Sequence, residues 1–201
     1  MSVIEVQQAE TFDGMEARAV AKIRAENPNA LLVDLGCGQV TLPEGFIGVD
    51  KFATGDRIMQ ADLYAAPWPF EDGSVDMFTS SHFVEHVPDW KLHFEEVYRC
   101  LKPGGLYRFV GPYAKSDRFL QDPSHRQPLT EARLAYFSRE WLMVNGLEHS
   151  GDYARVNFSW SVAFAYHEDF ADKSEAAQEF ARNHYWNAVD DIAVLLRKEP
   201  L

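Results

Sequence analysis

Four short apolar runs limit what this chain can fold into more than any other feature. They are "ALLVDLGCG" from Ala30, "FIGVD" from Phe46, "RIMQADL" from Arg57 and "SVDMFTSS" from Ser74. Each run is too short for a stable helix, and each ends on acids, glycines or small polar residues. Such runs suit buried strands of a parallel sheet. "LYRFVG" from Leu106 reads as a fifth strand and "VNFSWSVAFAYH" from Val156 as a sixth. Helices are expected between them. Residues 13–27 have an amphipathic pattern, with a capping box of Asp13 and Glu16 and a stop at "NPN". Residues 89–102 place Trp90, Phe94, Val97 and Leu101 at helical spacing and end in "KPGG". A polar loop is expected from Tyr113 to Pro128, mainly helix over 130–145, and a helix at about 174–186. The tail "AVDDIAVLLRK" fits a helix through Val189, Ile192, Ala193 and Leu196, or a strand through Ile192, Val194 and Leu196. The strand is preferred, giving an α/β fold with a mostly parallel, seven-stranded sheet flanked by helices.

With 201 residues, 46% of them hydrophobic, the chain suits one domain, residues 1–201. No apolar run reaches membrane-spanning length, and the start "MSVIEVQQAE" lacks a basic segment followed by an apolar one. A soluble, cytoplasmic protein is expected, with Cys37 and Cys100 as free thiols. The formal net charge of −12 argues against a nucleic-acid partner. Lys115, Arg118 and Arg126 form a local basic stretch, read as a solvated loop in preference to a binding patch.

Ligands of parallel α/β sheets bind beyond the carboxyl ends of the strands. Those ends hold Asp34–Gly38, Asp50, Asp62, Ser80–His82 and Gly111–Tyr113. Gly36 and Gly38 let backbone approach a ligand. An acid at Asp50 can accept from two ribose hydroxyls. Asp62 can accept from an adenine amino group, and Leu63 can offer a backbone N–H to the ring. Each signal is weak alone; their order along the chain is stronger. The H-x-x-E-H pattern of His82, Glu85 and His86 matches zinc-hydrolase spacing. Pro88 leaves a zinc-binding helix little room, so the pattern is expected to be incidental, with no metal.

"VDLGCG", "GVD", "ADL", "PWPFEDGSVDMFTSSHFVEHV" and "EVYRCLKPGGLYRFVGP" together resemble the class I S-adenosylmethionine-dependent methyltransferases, especially the small type 11 domains. The resemblance covers residues 30–113 well and 114–150 more loosely. It implies a Rossmann-like sheet and S-adenosylmethionine as cofactor. It also implies that Asp34, Gly36 and Gly38, with Cys37 in the same loop, line the methionine portion. Asp50, followed by Lys51 and Phe52, would hold the ribose. Asp62 and Leu63 would hold the adenine, and Ser80 and Ser81 would flank the methyl. Phe52 is read equally as an adenine platform or a core residue. One departure stands out. Only "QVTLPEG" separates Gly38 from Phe46, where the family has a helix.

Methyl transfer is an in-line displacement in which a base can take the acceptor's proton. His82 and His125 are the candidate bases. Tyr113 is the candidate for orienting the acceptor. "QDPSHRQPLT", with Asp122, His125 and Arg126, is a candidate substrate cover, or a turn capped by Asp122. Trp141, Trp160, Phe164, Tyr185 and Trp186 are read as core before substrate pocket. The segment after residue 150 is a candidate homodimer surface. The leading expectation is methyl transfer to a small molecule, a sugar or nucleotide-linked metabolite. The second is a degenerate, non-catalytic domain serving as a cofactor-binding or partner subunit. The third is a zinc hydrolase.

Overall fold

The computed structural model describes residues 12–149 and 155–201. Its sheet holds β1 (Leu32–Leu35), β2 (Phe46–Asp50), β3 (Ile58–Gln60), β4 (Val75–Ser81), β5 (Leu101–Pro112), β6 (Phe158–Tyr166) and β7 (Val189–Lys198). The strand order is β3-β2-β1-β4-β5-β7-β6. All neighbours pair in parallel except at β7, which is antiparallel to both β5 and β6. The order reverses between β1 and β4, and that switch point opens a crevice at the carboxyl ends of the strands.

The tail is a strand. Val189, Asp191, Ile192, Ala193, Val194 and Leu196 are all buried, because β7 lies between two strands and is covered on both faces. A strand buried on both sides loses the alternation that distinguishes strand from helix, which is why this segment reads both ways. At the other edge, "RIMQADL" supplies only the three residues of β3, with Met59 partly exposed.

The helices are α1 (Phe12–Glu26), α2 (Trp90–Cys100), α3 (Asp117–Leu120), α4 (Glu131–Leu134), α5 (Arg139–Val144), α6 (Glu168–Ala171) and α7 (Glu175–His184). Asp13 lies inside α1, and its side chain falls outside the described residues, as does the segment 1–11. Asp89 caps α2 by accepting from the Leu92 N–H at 3.1 Å. The helix then buries Trp90, His93, Phe94, Val97 and Cys100 against the sheet. It ends one residue earlier than its periodicity suggests, since Leu101 already pairs with Val75 in β5. The "KPGG" stretch is a bulge within β5. The register passes from Leu101 to Leu106 while the partner advances from Val75 to Met77. Residues 130–145 are largely helical, as expected, with a break at Ser138, which is extended and caps α5 through the Trp141 N–H. The expected loop from Tyr113 to Pro128 contains α3, capped by Ser116.

Two apolar clusters sit on the sheet. The larger includes Phe78, Phe94, Tyr107, Phe109 and Phe158. The smaller joins Ala19 of α1 to Leu32, Cys37, Leu42, Phe46 and Met77. Leu42 belongs to the short β1–β2 connection, which has no helix. A guanidinium fork holds that connection in place of helical packing. Arg57 donates to the carbonyls of Leu42, Pro43 and Phe46 at 3.0, 2.8 and 3.1 Å. Arg24 of α1 adds a bond to the Gly45 carbonyl at 3.1 Å.

Candidate active site

The glycine loop follows β1. Gly36 and Gly38 have φ of +65° and +55°, the left-handed region where side chains are strained. The two glycines serve different ends. A Cβ on Gly36 would collide with the Phe83 ring, so Gly36 is required for packing. Around Gly38 there is nothing within 4 Å of the Cβ position, so this glycine borders open space. Cys37 turns the other way, its sulfur filling the gap left by Gly48 in the small core. Its side chain therefore cannot line a ligand; only its backbone borders the loop.

Asp50, at the end of β2, organises this loop. It accepts from the N–H groups of Gly38 at 3.0 Å, Phe52 at 2.7 Å and Ala53 at 2.9 Å. Burial raises its carboxyl, but the three backbone bonds outweigh burial and hold it below the usual range. Two carboxylate oxygens offer about four acceptor positions, so capacity remains for a ligand hydroxyl. Phe52 is 80% exposed, which excludes the core reading and leaves its ring face available. Lys51 is turned to Asp62, with Nζ 2.7 Å from Oδ2. That bond, with the Tyr64 N–H on Oδ1, lowers the Asp62 carboxyl. The Leu63 side chain is buried, while Tyr64 stacks over Phe83.

Asp34 projects from β1 and accepts the Thr79 hydroxyl at 2.9 Å. Burial pushes its carboxyl up to about 6, against the Thr79 bond and with help from Glu16. Ser80 and Ser81 part company. Ser80 is 1% exposed and bonds the Tyr107 hydroxyl at 3.0 Å, which in turn meets His93 Nε2 at 3.1 Å. Its side chain serves the core, not a methyl group in the crevice. Ser81 is exposed on the opposite face.

Tyr113 is also corrected. Its ring is 4% exposed against Phe164, and its hydroxyl donates to Glu131 at 3.0 Å, so it cannot orient an acceptor directly. His82 stands at the crevice with φ of +50° and a half-exposed side chain. Its Nδ1 lies 3.4 Å from Glu85 Oε1, and the Glu85 contact raises the imidazole above its ordinary value against the opposing effect of burial. His125 approaches from the 122–127 loop, which is anchored by the Arg126 and Gln127 N–H groups on the Glu85 carbonyl at 2.7 and 3.0 Å. Asp122 does cap this turn, through the Ser124 N–H and hydroxyl. Arg118 of α3 reaches Asp191 of β7 at 2.7 Å. Asp191 gave no sequence signal, because it sits within an apolar run.

The basic stretch dissolves as a patch. Lys115 donates to the carbonyls of Arg182 and Asn183, Arg118 is paired, and Arg126 remains exposed. Among the expected core aromatics, Trp160 and Phe164 pack on the main cluster and Trp141 meets the Tyr136 ring. Tyr185 and Trp186 are 51% and 49% exposed, so these two are surface residues. A groove of about 470 Å³ beside Pro88, Trp90, Arg133 and Phe137 holds none of the strand-end residues.

Residues 14–109 match the family model described as a methyltransferase domain. The chain is 35% identical over 60 residues to demethylmenaquinone methyltransferases of Staphylococcus aureus; the match covers 30% of this chain and spans a quarter of theirs. A S-adenosylmethionine-dependent methyltransferase of Archaeoglobus fulgidus superposes with a TM-score of 0.54 at 19% identity, over 93% of this chain and 96% of that one. The YcgJ protein of Bacillus subtilis gives 0.50 at 16% identity, over 92% and 100%. The chain thus has a methyltransferase-domain match over residues 14–109 and shares the fold of solved S-adenosylmethionine-dependent methyltransferases. Its seven-stranded sheet is the Rossmann-like one that the sequence resemblance implies. No helix among the described residues is long and apolar enough to cross a membrane.

Proposed function

We propose that this chain transfers the methyl group of S-adenosylmethionine to a small-molecule acceptor held over the ends of β4, β5 and β7. The observation that carries the reading is the open space bordered by Gly38, next to an acid fixed at the end of β2. The sulfonium of the cofactor supplies the methyl electrophile; the protein supplies alignment and exclusion of water. Asp50 accepts the ribose hydroxyls with its remaining capacity. Phe52 covers one face of the adenine, and Asp62 with the Leu63 backbone meets its edge. Asp34 and the Gly36–Gly38 backbone take the methionine portion. His82 receives the acceptor's proton, and His125 closes the far side of the acceptor.

The sequence match to the demethylmenaquinone enzymes spans too little of them to carry their acceptor over. A sugar or a nucleotide-linked metabolite with a hydroxyl or amine suits a chain of net charge −12 better than a nucleic acid does. The test is turnover. The protein is incubated with methyl-deuterated S-adenosylmethionine and a small-metabolite extract, and labelled products are read by mass spectrometry. A labelled product that is lost with His82→Gln supports the reading. Cofactor binding without any labelled product would favour the non-catalytic subunit, which the missing β1–β2 helix also suits.

A further inference from the structure

Glu85 is fully buried, and its contact with His82, Nδ1 3.4 Å from Oε1, still leaves both carboxyl oxygens without a well-formed hydrogen bond. A buried carboxyl group left in this state is destabilising unless something else satisfies it. A side chain on Gly111 would collide with Leu129 Cδ1 and press on Glu85 Oε2, so this glycine of β5 makes room for both. Besides His82, a pair of imidazoles, His86 and His125, faces these oxygens. Ligand atoms of Glu85, His86 and His125 all lie within 4.8 Å of one another. His125 Nε2 is 4.0 Å from Glu85 Oε1.

Both rings are fixed from behind. His125 Nδ1–H donates to the Phe119 carbonyl at 2.8 Å, leaving the lone pair on Nε2. The Ser124 hydroxyl donates to Asp122 at 2.6 Å, so it accepts from His86 Nδ1–H at 2.9 Å, and His86 likewise keeps its lone pair on Nε2. An imidazole that donates one N–H to a carbonyl or hydroxyl and presents the other nitrogen bare is the arrangement of metal-binding histidines. Tetrahedral ligands about 2.0–2.1 Å from a zinc ion stand about 3.3 Å apart, so separations within 4.8 Å need to close by at most about 1.5 Å.

We propose that Glu85, His86 and His125 bind one divalent transition-metal ion of the zinc class. This is not the ligand set of the H-x-x-E-H pattern. His82 has a left-handed backbone and His86 lies on a single 3₁₀ turn, so no helix carries the two histidines on one face. The third ligand comes from the 122–127 loop, about forty residues further along the chain, and the ion ties that loop to the end of β4. Two imidazoles and one carboxylate leave a position open for water or for an oxygen of a bound small molecule. The donor set selects zinc, cobalt or nickel over magnesium or calcium.

The test is a titration of chelator-stripped protein with CoCl₂, read by visible absorption and by metal content after desalting. Wild type is expected to take up one ion per chain with absorption bands of nitrogen ligation. His86→Ala, His125→Ala and Glu85→Gln are each expected to weaken uptake at least about tenfold. His167→Ala, a histidine outside the cluster, should leave uptake unchanged. Circular dichroism and S-adenosylmethionine affinity, measured on the same samples, report folding and cofactor binding separately from the metal. Folded wild type without saturable uptake would overturn the site. So would uptake that survives all three cluster substitutions.

Discussion

Asp34 shows how much chemistry one strand-end residue carries. Its carboxyl titrates near 6 in the folded chain, against 3.8 ordinarily, because burial disfavours its charge. The folded state therefore holds a proton that the unfolded state releases. Stability should fall as pH rises from about 4 to about 6, and stay lower above that. Asp34→Asn keeps an acceptor for Thr79 and carries no charge. It should remove this fall and raise stability at pH 7 by on the order of 1–2 kcal/mol, read by urea unfolding across pH. If the cationic methionine portion binds beside Asp34, binding at pH 6 should release a proton. Calorimetry in buffers of different ionisation enthalpy reads that proton directly. His82→Gln should lower turnover about 10²–10⁴-fold with cofactor affinity unchanged, since His82 would act on the acceptor.

The positions of Gly38, Asp50 and Asp62 at strand ends were legible, because strand ends follow from apolar runs. Ser80 and Ser81 were not separable. In "TSSH" no apolar residue marks which side faces the core, and a shift of one position exchanges the faces. Glu85 was legible only as part of a pattern, because nothing in the sequence near it announces that Gly111 clears space for a buried carboxyl.

At the scale of elements, the β1–β2 connection was read correctly as lacking a helix, while its replacement was invisible. Arg57 holds it from the next connection, fourteen residues beyond Pro43, and no local pattern links them. Arg57→Ala should cost about 1 kcal/mol, given that the side chain is exposed. The sharper readout is hydrogen exchange: amides of residues 39–45 should exchange faster, and cofactor affinity should drop with them. Exchange unchanged in that segment would show that Leu42 packing alone suffices. The largely helical character of 130–145 was legible but its break was not, because Leu134, Phe137 and Leu142 are all buried while Ser138 between them turns the chain. A serine that caps a helix and a serine within one look alike until the backbone is known.

At the scale of the molecule, charge and topology point the same way. The net charge is −12, and in the basic stretch of the 113–128 loop Lys115 and Arg118 are committed within the protein. Fluorescence anisotropy with duplex DNA or structured RNA should show no salt-dependent binding. The topology was legible through its strands, and with it the crevice between β1 and β4. In the proposed function this crevice takes S-adenosylmethionine through the space bordered by Gly38. Calorimetric titration with S-adenosylmethionine and its demethylated product, on wild type, Gly38→Ala and Asp50→Ala, tests it most directly. One site per chain is expected in wild type, sharply weakened in both variants. Gly38→Ala is also expected to keep its fold, because a Cβ there meets nothing and costs about 1–2 kcal/mol of backbone strain. Folded wild type with no detectable affinity for either ligand would contradict the proposal, as would binding that Gly38→Ala leaves intact.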